Sequence, residues 1–413
     1  ALNNVVAGDT IEISEGQYFE DIQTTVDGTE FAKIIVKGAP GSRREDVVLR
    51  GAGGKARMFE IKHDHYTVKD FTIDGEAIAD PDDDVYFKDA YRDIALYALA
   101  DRAPTMRDGG YLSTLDGLIV TNMLLQNLGG ECIRLRYFVT HADIYSNEIL
   151  NCGVYAFVYG DDGKNGEGVY IGTSSNQWGD GKNFSDEPDQ CRENIVRNNV
   201  IKTMGNEGID IKDGSVDNII EDNDVYMQLD ENSGGINSRG DGSIIRNNYI
   251  QDASGAGVRL GGREVGDIQY GVNNQVYDNV LVNCKSYGVK IMASPQGIIC
   301  GNHITPPSDV DPENYRFSGG THDDAYPNPS VDCDPEQSPP SLTTPSPISL
   351  TPSPISPTPS PISPTPSPTS LTPPPISPTP SPISPTPSPI SPTPSPISPT
   401  PSPSESTAGT YKG

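Results

Sequence analysis

The feature that most constrains the fold of this chain is a phrase that keeps returning: two apolar residues, two of any kind, Asn, one of any kind, then an apolar residue. Its Asn falls at Asn122, Asn147, Asn199, Asn223, Asn248, Asn279 and Asn302. Copies lie 23 to 31 residues apart, except for 52 between Asn147 and Asn199, where an insertion is expected. A second phrase precedes the Asn and keeps step with it. It reads Ile133-Arg134-Leu135-Arg136, Val169-Tyr170-Ile171-Gly172, Ile209-Asp210-Ile211-Lys212, Ile236-Asn237-Ser238-Arg239, Val258-Arg259-Leu260-Gly261 and Val289-Lys290-Ile291-Met292. Period-two alternation turns Ile133, Leu135, Val169, Ile171 and their equivalents inward and the residues between them outward. Two ladders in step predict an all-β fold, a right-handed single-stranded parallel β-helix (solenoid) whose stacked coils bury one continuous core. A buried Asn at the same turn of each coil would satisfy backbone groups of the coils above and below. A β-sandwich or jelly roll gives no reason for Asn to recur at one place.

The repeat divides the chain. Residues 1–306 are expected to be the solenoid, opening with strands near Asp9–Ile13, Phe31–Val36, Phe59–Lys62 and Tyr66–Phe71. Ala79–Arg92 reads as a protruding acidic loop, and Thr173–Gln190 as a second excursion carrying Trp178 and the sequon Asn183-Phe184-Ser185. A glycan on Asn183 would require that loop to be exposed. Solenoids of this kind resemble one another in plugging the first coil with an amphipathic helix, of which only Ala1 and Leu2 are expected here. With no leader ahead of Ala1, the start reads as processed.

Net charge is −28, which disfavours nucleic acid as a partner. No apolar run of about 18 residues is present to span a membrane. Six cysteines, Cys132, Cys152, Cys191, Cys284, Cys300 and Cys333, form no C-x-x-C pair, and five His make a zinc site a poor fit. An even number suggests disulfides and an oxidising, extracellular setting. Cys132 with Cys152 and Cys284 with Cys300 are the pairings expected of neighbouring coils, with buried thiols as the alternative.

After an acidic, Pro-rich connector, residues 307–343, a Thr-Pro-Ser-Pro-Ile-Ser-Pro heptad fills residues 344–403, followed by a tail, residues 404–413. Proline at this density removes backbone donors and fixes φ, so an extended polyproline II stalk is expected, some 60 residues reaching roughly 190 Å. The heptads resemble the hydroxyproline-rich glycoproteins of algal and plant cell walls. That resemblance implies hydroxylated, glycosylated prolines such as Pro352, Pro354, Pro357, Pro359, Pro361 and Pro364, with Thr358 and Ser360 as further acceptors.

The outward residues of the aligned strand predict a stripe for binding an acidic glycan: Arg134, Arg136, Tyr170, Asp210, Lys212, Asn237, Arg239, Arg259 and Lys290. Arg forks suit uronate carboxylates. Glu131, Glu167 and Glu207 each precede their strand by two residues and predict a parallel acidic ladder, so mutual neutralisation without any ligand is the competing expectation. Gly166-Glu167-Gly168-Val169-Tyr170-Ile171-Gly172, Asp210-Ile211-Lys212-Asp213-Gly214-Ser215 and Gly257-Val258-Arg259-Leu260-Gly261-Gly262 resemble motifs of the pectin-lyase-like superfamily of right-handed β-helices. The resemblance implies that this strand face is the substrate cleft, but the superfamily includes lyases, hydrolases, epimerases, tailspikes and adhesins, so it leaves the activity open. If the chain is an enzyme, Lys212 is the candidate base, Tyr170 the acid, and Arg239 or Arg259 the group that neutralises the substrate carboxylate. Glu167, Glu207 and Asp210 could hold Ca²⁺. The stripe contains only one aspartate, which disfavours the paired-aspartate hydrolysis of polygalacturonases.

The leading expectation from sequence is an extracellular structural glycoprotein of a wall, surface fibre or appendage, binding acidic polysaccharide or like subunits. The alternative is a secreted lyase or C5-epimerase of a uronate polymer.

Overall fold

The computed structural model describes residues 2–52, 57–76, 91–157, 166–322 and 328–334. The stalk, its expected glycan acceptors from Pro352 to Pro364 and most of the acidic loop lie outside these residues.

Three ten-stranded parallel sheets wind around one core. The first sheet runs from Thr10–Ile13 to Ile299–Cys300, the second from Gly16–Tyr18 to His303–Thr305, and the third from Ile22–Gln23 to Ser318–Gly320. Each coil contributes one short strand to each sheet, and each strand pairs with its counterpart a full coil away. The last strand places the solenoid's end beyond residue 306. The expected helical plug is, among the described residues, a single 3₁₀ turn at Leu2–Asn4, with Leu2 packed against the core.

Alternation builds the interior. In the third sheet Leu96, Ile133, Val169, Ile209, Ile236, Val258 and Val289 stack in register. All seven are fully buried, and burying such a side chain contributes about 1.5–3 kcal/mol.

The Asn ladder runs unbroken from Asn147 through Asn199, Asn223, Asn248 and Asn279 to Asn302. Each side-chain amide donates to the next Oδ1 at 2.9–3.0 Å. The same Oδ1 accepts the backbone N–H of the previous rung, at 3.0 Å for Asn147 to Asn199. The residue before each rung is left-handed, with φ of 53–63° from Ser146 to Gly301, a conformation that Asn, Asp and Gly adopt with least strain.

Asn122 is a correction. It occupies that left-handed position (φ 50°), not the rung. Buried Met123 holds the rung and donates its N–H to Asn147 Oδ1 at 2.9 Å. Both places favour Asn for different reasons, so the repeat can be read one residue out of step. A second, unexpected ladder lines another corner, with Asn194 donating to Asn218 Oδ1 at 3.0 Å and Asn274 N–H to Gln296 Oε1 at 2.9 Å.

Cys132 and Cys152 are joined. Cys300 pairs with Cys333 and not with Cys284, which is a buried thiol, as is Cys191. Cys284 follows a strand of the second sheet, whereas Cys300 ends a strand of the first, so the two sit at different corners.

Candidate functional site

The outward face of the third sheet carries the candidate site in three adjacent rows. The middle row stacks Tyr97, Arg134, Tyr170, Asp210, Asn237, Arg259 and Lys290. The following row, fixed by rung-to-rung backbone bonds, holds Arg136, Lys212 and Arg239, with Gly172 and Gly261 between and beyond them. The preceding row brings in Glu131, Glu167 and Glu207. The expected stripe is therefore two rows with an acidic ladder beside them. Tyr97 was missed, although Leu96-Tyr97-Ala98 follows the same alternation. Glycine makes the acidic side possible: a Cβ on Gly166 would lie 1.8 Å from the Gly153 Cα, so only a bare backbone lets those coils approach beside Glu167.

The charges of this face are largely buried, and the Thr173–Gln190 excursion reaches Arg134 through Gln177. Lys212 is 3% exposed and Glu167 and Asp210 are fully buried. Lys212 Nζ pairs with Asp210, lies 3.4 Å from Glu167 Oε1 and stands 4.3 Å over the Tyr170 ring. Arg134 lies 4.2 Å from the same ring and binds Glu131 Oε1 at 2.8 Å. Arg239 Nη2 is 3.7 Å from Glu207 Oε1 and 3.9 Å from Asp210 Oδ2. Asn237 Nδ2 donates to Glu207 Oε1 at 2.5 Å.

These contacts leave buried polar atoms without hydrogen bonds: Glu167 Oε2, Glu207 Oε2, Asp210 Oδ1, Asn237 Oδ1, Arg239 Nε and the Tyr97 hydroxyl. An unsatisfied buried polar atom costs about 1–3 kcal/mol, and the concentration of such atoms at one place makes this cluster the candidate site. Oxygens of Glu167, Glu207 and Asp210 lie within 4.8 Å of one another. All are hard donors, suited in kind to a calcium-like cation.

Protonation follows from burial. Loss of water lifts the Glu167 carboxyl to about 8; Lys212 pulls it down while Glu207, Glu131 and Asp210 push it further up. Asp210 is raised by burial and by Glu207. Burial opposes the Lys212 ammonium, but Asp210 and its other neighbours hold it charged, above the ordinary lysine value. The Tyr170 phenol is raised by burial.

Two expected site residues are placed elsewhere. Arg136 is 1% exposed and is taken up by the Thr173–Gln190 loop. It donates to Asn183 Oδ1 at 2.6 Å and Asp180 Oδ1 at 2.7 Å, pinning the Thr173–Gln190 loop. Asn183 is consequently buried, with its amide oxygen engaged, and does not meet the exposure that a glycan demands; the neighbouring Phe184 takes the exposed position. Asp189 anchors the base of the loop by accepting the N–H groups of Tyr137, Phe138 and Cys191. Trp178 packs edge-on against Tyr270, and Gln177 receives Arg134 at 3.1 Å. None of these loop contacts has a repeating signal in the sequence.

Residues 163–310 match the model of the right-handed β-helix region family. No curated protein matches the sequence. Among solved structures, an alginate lyase from Paenibacillus sp. str. FPU-7 is similar at a TM-score of 0.59 and 16% identity, over 80% of this chain and 95% of that one. The ORF18 protein of Geobacillus virus E2 is similar at 0.52 and 10% identity, over 78% of this chain and 55% of that one. At these identities the likeness shows architecture alone. By its sheets, its register and these comparisons, residues from about 1 to 320 form a right-handed parallel β-helix.

Proposed function

We propose that the protein is a secreted polysaccharide lyase that cleaves a 1,4-linked uronate polymer by β-elimination on the outer face of the third sheet. One observation carries this reading: Lys212 and Arg134 flank the Tyr170 ring at 4.3 and 4.2 Å, beside Arg239 and carboxylates with unsatisfied oxygens. Cations, a phenol and a buried amine at a groove floor are what removal of a proton next to a carboxylate requires. The architecture shared with an alginate lyase supports the class.

In this reading Arg239 faces the substrate carboxylate and stabilises the charge that develops on it as C5 loses its proton. Lys212 takes that proton. For Lys212 to accept it, the proton that Lys212 carries must first pass to Asp210, which leaves the amine free. Tyr170 gives its phenolic proton to the departing O4, the C4–O4 bond breaks and a C4–C5 double bond forms. The Lys212 ammonium, over the Tyr170 ring, returns a proton to the phenolate. Glu167, Glu207 and Asp210 would hold a divalent cation if one is used; its chemistry would be added positive charge beside the substrate carboxylate.

Two disulfides, and the lack among the described residues of any helix long and apolar enough to cross a membrane, are compatible with secretion. The Pro-rich stalk is then a tether or spacer for the enzyme. Incubation with alginate and with pectate, followed by ultraviolet absorbance of the unsaturated product, tests the reading. Absorbance that rises with the wild type and not with Lys212→Ala supports it. No product from either polymer overturns it in favour of a binding protein. Epimerisation without cleavage, seen by NMR of the polymer, would reassign the proton acceptor and donor while keeping the site.

A further inference from the structure

The middle row is electrostatically lopsided about Tyr170. Toward the first coils, each cation has a carboxylate. Arg134 binds Glu131 at 2.8 Å, and Arg57 binds Glu60 at 3.1 Å while lying 3.7 Å over the Tyr97 ring. Besides Arg134 Nε, whose guanidinium is already paired with Glu131, the polar atom of the row left without a partner there is the neutral, buried hydroxyl of Tyr97. Toward the last coils the order reverses. Arg259 and Lys290 occupy consecutive rungs, pair in register, and have backbone carbonyls as their hydrogen-bond acceptors: Gly261 for Arg259 at 3.2 Å and Asn232 for Lys290 at 3.4 Å. Neither forms an ion pair with a carboxylate among the described residues. The next residue in the row is Gly319, which adds no side chain.

Asp210, Glu207 and Asp213 act on Arg259, and Asp230 on Lys290, from beyond ion-pairing distance and without offsetting burial. Burial and the neighbouring Arg239 make the Arg259 cation harder to hold, and burial and Arg259 do the same to Lys290. An anion is the partner that would relieve both. Rungs about 4.8 Å apart come close to the advance of one 1,4-linked pyranose along its chain.

We infer that Arg259 and Lys290 hold the carboxylates of two consecutive uronate units on one side of the bond that is cut, while the Tyr97 side receives sugars through hydroxyl and ring contacts and does not require their charge. The inference rests on the groove being the uronan site proposed above. It makes the groove directional: the polymer must present anionic units toward the last coils, and neutral or esterified units are tolerated toward the first.

Steady-state kinetics on the uronan that the wild type cleaves, at low and high salt, tests this with Arg259→Gln, Lys290→Gln and Arg57→Gln, each checked for an unchanged melt. Arg259→Gln and Lys290→Gln should each raise KM about tenfold or more, as expected for a charge-assisted hydrogen bond. They should also flatten the salt dependence of KM while kcat stays within about twofold. Arg57→Gln should move KM by less than about twofold. Equal effects from all three, or no effect from Arg259→Gln and Lys290→Gln, overturn the inference while leaving the lyase reading intact. If the wild type cleaves nothing, the lyase reading fails first, and titration with alginate and pectate oligomers decides the rest. Binding weakened by Arg259→Gln and Lys290→Gln but not by Arg57→Gln upholds the assignment for a binding groove; no binding ends it.

Discussion

Outer faces of the first and third sheets are built from the same residue types on the same rungs, yet they end in opposite states. On the first sheet Arg197 meets Asp143 of the neighbouring rung at 2.8 Å, with both side chains about a third exposed (33% and 28%). Arg246 meets Glu221 at 2.6 Å and the Tyr277 hydroxyl at 3.1 Å. Ion pairing of the kind anticipated from sequence for the third sheet is present on both faces, and here it takes a half-exposed, pairwise form. On the third sheet the cations and carboxylates are buried, contact one another several at a time and leave oxygens unsatisfied. Exposed pairs are worth about 0–1 kcal/mol each and tolerate any arrangement that water can complete. A buried cluster costs several kcal/mol unless every group is satisfied. The fold thus builds a charge ladder without strain where function makes no demand, and the third sheet departs from that solution where the chemistry is proposed.

Breaking the third-sheet cluster gives the largest expected effect. Lys212→Ala should lower product formation about 10²–10⁴-fold, the range for a positioned proton-transfer group. Its melt should fall as well, because Asp210 and Glu167 stay buried without that cation, at a cost of about 3–5 kcal/mol, so product formation is compared at a temperature where both proteins are folded. An active Lys212→Ala would remove the distinction between the two faces.

The ladder that keeps both faces in step is next. Asn223→Ala would strip acceptors from the Asn199 N–H and side-chain amide and donors from the Val196 and Glu221 carbonyls. A loss of about 3 kcal/mol or more in urea unfolding is expected; a loss below 1 kcal/mol would mean the rungs are held by the strands alone.

Protonation sharpens the comparison further. With the Glu167 carboxyl at about 8, the native chain keeps a proton that the unfolded chain loses above the ordinary carboxylate range. Native therefore binds more protons than unfolded between that range and about 8, so stability falls as pH rises through this window and levels off above it. Glu167→Gln removes that slope. Its stability relative to wild type should improve by about 1–3 kcal/mol between pH 5 and 8. A parallel pH profile for the two proteins would show that Glu167 is ionised throughout. The smallest effect is expected on the first sheet, where Arg197→Ala should cost under about 1 kcal/mol and leave activity within about twofold.

Much of this was legible in the residues. The alternation at Ile209-Asp210-Ile211-Lys212 and its equivalents assigned the inward core and put Arg134, Tyr170, Asp210, Asn237, Arg259 and Lys290 in one row, because strand pairing across coils reproduces a local period of two at every rung. The Glu131, Glu167 and Glu207 ladder followed from the same register. The exact rung at Asn122 did not, because a left-handed turn and a buried ladder both favour Asn.

What only the tertiary structure decided lies where the period stops. The Thr173–Gln190 loop folds back by contacts of long sequence separation, so it took up Arg136 and buried Asn183. The same non-local geometry joined Cys300 to Cys333 and determined which cations found carboxylates and which, like Arg259 and Lys290, did not. A repeat fixes which residues share a face, since register is local and periodic. Whether a charge on that face is buried, paired or free depends on loops that carry no period, and those are set only when the whole chain has folded.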